Sequence, residues 1–171
     1  MTKKKVMIKI LTTRYESGQN GFDDEGDDAL SFEELSTAEE EAETSEMWTE
    51  GRLVEGEQRV ELIYEESEMS GMGGSVTSVG FDKTAPGLIT MMRTGPVSTA
   101  LVFEEGQRHI CVYNTPFSTM EVCTITKRIE NRLLTAGEIE LDYQLEIQGA
   151  YAERCHMNIF VHRQDPGLLS L

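Results

Sequence analysis

Basic residues are scarce. The 171-residue chain carries 15 Lys and Arg against 31 Asp and Glu, a formal net charge of −16. A phosphate backbone is held by Lys and Arg, so this balance excludes a general nucleic-acid binder. Long apolar runs are missing too: none approaches the roughly 18 residues that a membrane-spanning helix needs. Cysteines number three, at 111, 123 and 155. They are odd in number, widely spaced and in no C-x-x-C pair, which excludes a disulfide framework and a zinc ribbon. Cys111, Cys123 and Cys155 each lie in or beside an apolar run and read as buried small hydrophobes. Helical periodicity is absent as well.

The acidity is concentrated. Residues 16–46 hold 13 acids and no Lys or Arg, leaving 31 − 13 = 18 acids against 15 bases elsewhere. Apolar residues there are few, chiefly Phe22, Leu30, Phe32 and Leu35. Such a segment buries too little to offset its ordering entropy, so it reads as a flexible acidic insertion in one domain spanning 1–171. Ser36-Thr37-Ala38-Glu39 has the form of a capping box for a short helix through Glu43. The Lys3-Lys4-Lys5 start followed by Val6 to Leu11 imitates a secretory signal. Its apolar stretch is short, Lys9 interrupts it, and no small-residue cleavage site follows. The expected location is therefore cytoplasmic.

What is abundant is a period of two. Ile139, Leu141, Tyr143, Leu145 and Ile147 alternate with Glu138, Glu140, Asp142, Gln144 and Glu146. A strand with one face in a core and one in water has this pattern, whereas a helix would scatter the apolar set around its axis. Val60, Leu62 and Tyr64 form another row, and Val97, Thr99, Leu101 and Phe103 a third. Gly, Pro and Asn clusters separate the runs at short intervals, as hairpins require. The pattern predicts strands at 4–13, 46–54, 58–68, 74–81, 87–93, 97–104, 107–114, 117–131, 137–149 and 154–163. Consecutive hairpins favour an antiparallel up-and-down barrel of about 8–10 strands, because closure removes exposed edges. The acidic insertion follows the first strand. An unmatched edge could pair two copies, so a monomer and a homodimer both remain open.

The strings Tyr64-Glu65-Glu66-Ser67-Glu68-Met69-Ser70-Gly71 and Gly74-Ser75-Val76-Thr77 resemble the signature of the YwiB-like bacterial family. So do Thr49-Glu50-Gly51-Arg52, Arg93-Thr94-Gly95, Phe103-Glu104-Glu105-Gly106-Gln107-Arg108-His109, Tyr113-Asn114-Thr115-Pro116, Gly137-Glu138-Ile139-Glu140 and Tyr143-Gln144-Leu145-Glu146-Ile147. The resemblance runs in order from about residue 4 to 163. The chain departs from it in the longer acidic loop and at Phe117-Ser118, where a Tyr-Gly pair is common. The resemblance implies an all-β, calycin-like barrel of lipocalin-like architecture and no known activity; fold alone does not give function.

Glu65, Glu66 and Glu68 with Glu104 and Glu105 are the densest carboxylates outside the acidic segment. Strict alternation puts Glu66 and Glu68 on the face of Tyr64 and turns Glu65 away. An inward Glu needs a cationic partner or a raised pKa, and Arg93 and Arg108 are the candidates. Two readings stand: a ligand-anchoring or acid–base group, and a structural ion pair that closes one end of the barrel. His109 at the start of a strand is a general base, a ligand contact or a half-buried packing residue. His156 and His162 share a face by parity, but no second cluster joins Cys155 to complete a zinc set, so no metal is assigned. Ser67 lacks a hydrolase elbow. Gly71-Met72-Gly73-Gly74 lacks the Lys and following helix of a phosphate loop and reads as a bend. Met69, Met72, Met91, Met92, Met120 and Met157 suit an adaptable cavity or an ordinary core.

The leading expectation is a non-enzymatic barrel binding a small apolar or amphipathic ligand inside, with no cofactor. Tyr64, Glu66, Arg93, Phe103 and His109 are its candidate pocket residues. The alternatives are an interaction module whose acidic loop engages a basic protein partner, and an enzyme using Glu66 or Glu68 with His109.

Overall fold

The computed structural model of the chain describes residues 1–16 and 41–164. Ten antiparallel strands follow one another: β1 (Thr2–Glu16), β2 (Glu41–Glu55), β3 (Arg59–Glu65), β4 (Val76–Asp82), β5 (Ala85–Thr94), β6 (Thr99–Glu104), β7 (Arg108–Asn114), β8 (Thr119–Arg132), β9 (Glu138–Ile147) and β10 (Ala150–Arg163). Their order in the sheet is β6-β5-β4-β3-β2-β1-β10-β9-β8-β7, so consecutive strands pair except at β6 and β7, and β1 joins β10. This is the up-and-down barrel that the alternation predicts, nearly closed and calycin-like.

The seam lies between β6 and β7. Ser98 and Asn114 exchange two backbone hydrogen bonds, each 2.9 Å, at one end. At the other end Gly106 N–H donates to Thr126 O, and the Thr124 hydroxyl reaches Val102 O at 2.6 Å. The edge groups of both strands are thus partly satisfied without a continuous ladder.

Alternation sorts side chains by face. On β9, Ile139, Leu141 and Tyr143 are buried inside. Outside, Glu138 meets Arg132, Asp142 meets Arg154 and Glu146 meets Arg108, at 2.7–3.2 Å. Arg108, a sequence candidate for pairing Glu66, is therefore an outer-surface residue. Gly51 on β2 faces inward between β1 and β3: a Cβ there would stand 2.7 Å from Ile63 O, so the barrel wall tolerates no side chain at this point.

Two expectations about the acidic segment are corrected. Glu41–Ser45, ahead of the expected start at 46, are not loop but the start of β2, paired with β1 from Glu16↔Glu41 to Thr12↔Ser45. A capped helix running through Glu43 is excluded for the same reason, since residues 41–43 are strand. The pairing of two long strands outweighs local composition here. The flexible or partner-binding character expected of the remaining acidic segment, 17–40, lies outside the described residues.

The core fills one half of the barrel. Val6, Ile8, Val60, Leu62, Val79 and Phe103 are among its fully buried members. A single helical turn, α1 (Leu133–Ala136), caps this end with Leu133 buried under it, and Gly137 ends the turn at φ 71°.

Candidate functional site

The other half of the barrel is hollow. A cavity of about 690 Å³ opens there, within the ~300–1,000 Å³ typical of small-molecule sites. Its wall is largely apolar and unusually rich in methionine: Met47, Met69, Met72, Met91, Met120 and Met157 all line it. Unbranched thioether side chains adapt to the shape of an occupant, unlike the Ile, Val and Leu that fill the closed half. Of the methionines singled out in the sequence, Met92 is exposed on the outer face, and Met69, in the exposed turn at the rim, reaches the cavity only from its mouth.

A belt of polar groups crosses the inner wall. Strand register places Tyr64 beside Thr77, Thr77 beside Arg93, and Arg93 beside Thr99. Glu66 follows β3 by one residue, its N–H donating to Ser75 O at 2.8 Å, which keeps the inward parity for one more rung. The Thr77 hydroxyl donates to Glu66 Oε1 at 2.6 Å. Arg93 donates through Nε to Thr77 at 3.1 Å and through Nη2 to Glu66 Oε1 at 3.2 Å. Glu66 is 7% exposed and Arg93 8%, so the pair is a buried, mutually neutralising one. Burial, reinforced by the Glu66 charge, pushes the Tyr64 phenol up, and the hydroxyl stays protonated.

Across the cavity, burial raises the Tyr143 phenol and pushes the Cys155 thiol up to about 12. Cys155 Sγ donates to Glu153 Oε1 at 3.5 Å. It is thus a protonated wall residue without thiolate character. Nearer the mouth, Arg14 and Glu153 stand 3.8 Å apart.

The structure unites some of the candidates and separates others. Tyr64, Glu66 and Arg93 lie together on the cavity wall. Phe103 is buried toward the filled half, its ring 4.7 Å from that of Tyr143, so it supports a wall residue from behind. His109 sits beside the β6–β7 turn, its Nε2 3.0 Å from Glu104 Oε2. Glu68 departs from the expected parity: β3 ends at Glu65, and Glu68 belongs to an exposed 3-10 turn, Glu68–Ser70, closed by Gly71 at φ 75°. Glu66, Glu68 and His109 therefore occupy three different environments. The sequence reading missed Met47 and Thr77. Alternation marks both as inward, but nothing in the sequence gives their height along the barrel axis.

Comparison with known proteins places this geometry. A domain family described as "Domain of unknown function (DUF1934)" matches residues 31–159. The crystal structure of the ywiB protein from Bacillus subtilis is similar, with a TM-score of 0.67 and 18% identity, covering 95% of this chain and 94% of that one. That likeness concerns the fold. No curated protein matches. Among the described residues no helix is long and apolar enough to cross a membrane.

Proposed function

We propose, from the premise that this chain belongs to the DUF1934 family, that its barrel is a non-enzymatic binding protein holding a small amphipathic ligand in the hollow half. The observation that carries this reading is the pairing of a methionine-rich, mostly apolar wall with one buried polar belt. Small-molecule sites combine a large apolar lining with a few placed polar groups. The separation of Glu66, Glu68 and His109 supports a binding role over acid–base catalysis, which needs its groups within reach of one substrate. Three free cysteines fit a reducing compartment and support a cytoplasmic location.

The test is a titration of the full-length protein with the uncharged dye 1-aminoanthracene. Saturable binding at one site per chain is expected, with loss of that site when Met91→Trp fills the wall. Absence of saturable binding, or binding indifferent to Met91→Trp, contradicts the reading.

A further inference from the structure

The guanidinium of Arg93 is the most informative group in the cavity. An arginine has five N–H donors and no acceptor. Arg93 uses Nε toward Thr77 and one N–H of Nη2 toward Glu66. Among the described residues its Nη1 has no acceptor, although the side chain is over nine-tenths buried and lines the cavity. Among the described residues the one sealed side-chain polar atom without a partner is Thr126 Oγ1, so Nη1 is not closed into the wall but open to the cavity, where an acceptor can reach it. The unfilled donors thus face the space that a ligand would take.

Charge narrows the class of that ligand. Arg93 and Glu66 already cancel each other. A carboxylate placed against Arg93 would leave one uncompensated negative charge in a buried setting, and an ammonium would add a positive one beside the guanidinium. The Arg14–Glu153 pair nearer the mouth is likewise balanced. A neutral acceptor, such as an amide or ester carbonyl, fills the donors without either cost.

Resting on the cavity reading above, we propose that the ligand is an uncharged amphiphile whose polar end bears a hydrogen-bond acceptor. It is seated head-down on Arg93, with its apolar body along the methionine wall toward the mouth.

The experiment is displacement of 1-aminoanthracene from the full-length chain by decanamide, decanoate and decylammonium at pH 7 and 0.15 M NaCl, where long-range attraction to the acidic surface is screened. Decanamide is expected to displace the dye at concentrations at least tenfold below those of either charged analogue. Equal displacement by all three, or preference for a charged head, overturns the proposal and leaves the cavity reading standing. Failure of the dye itself to bind overturns both. The double variant Glu66→Gln/Arg93→Met keeps the belt neutral but removes the guanidinium donors of Arg93. Measured directly by calorimetry, it should lose the natural chain's preference for decanamide over decanoate and decylammonium; a preference that survives in the variant counts against the proposal. Because the headgroup series uses the natural chain, the test does not depend on the variant folding.

Discussion

The two halves of the barrel are made by the same strands and differ in what those strands point inward. Near the N-terminal end of β1 the inward residues are Val6 and Ile8, met by Leu62, Phe103 and Leu141. Further along they are Thr12, Met47, Tyr64, Met91, Arg93 and Met157. The first set is branched or aromatic, restricted in rotamer and packed solid. The second is flexible or polar and encloses space. One half is packed solid and the other leaves room for the proposed ligand, and the boundary runs along the Tyr64–Thr77–Arg93 row.

Substitutions can break this comparison. Phe103→Ala in the filled half should cost about 3–5 kcal/mol in urea-induced unfolding, since the close-packed surroundings collapse poorly onto the void. Met157→Ala on the cavity wall should cost less, about 2 kcal/mol, because the space beside it is already open. Equal costs would mean that the two halves are packed alike.

The boundary row is tested next. Arg93→Met strands the Glu66 carboxylate and should destabilise by about 3–5 kcal/mol, whereas Glu66→Gln/Arg93→Met should recover most of that loss. A double variant as unstable as the single would show that the belt matters for shape and not for charge.

Alkaline pH should act more weakly and on the open half. Burial raises Cys155 from the usual 9.0 to about 12, and Tyr143 is raised as well. A raised native pKa gives stability that is complete below the unfolded value and is lost as pH rises through the native one. Thermal stability should therefore decline between pH 9 and 12, and Cys155→Val should flatten that slope. An unchanged slope in the variant would place the loss elsewhere. Smallest of all, Arg108→Gln removes an exposed pair with Glu146 and should cost under about 1 kcal/mol.

Much of this architecture was legible from alternation. Each of the ten strands overlaps a run marked by the period of two and its turn residues, with β2 starting earlier and β3 ending sooner than expected, and Tyr64, Glu66 and Arg93 meet as their inward parity suggests. Three features escaped for separate physical reasons. Residues 41–45 look like loop because an acid-rich tract resembles a disordered one, and only pairing with β1 makes them strand. Glu68 is not inside, because parity ends with β3 and the turn that follows rotates its side chain outward. Phe103 and His109 lie away from the cavity lining, because a period of two reports the face of the barrel and not the level. Level depends on stagger between strands, which long-range pairing sets.

The most direct measurement is a crystal structure with 10-bromodecanamide, read by the anomalous signal of bromine. The account predicts one bromine per chain near the cavity mouth and the amide oxygen within hydrogen-bond distance of Arg93. Bromine on the outer surface, or an amide left at the mouth with the chain's polar belt unfilled, would contradict it.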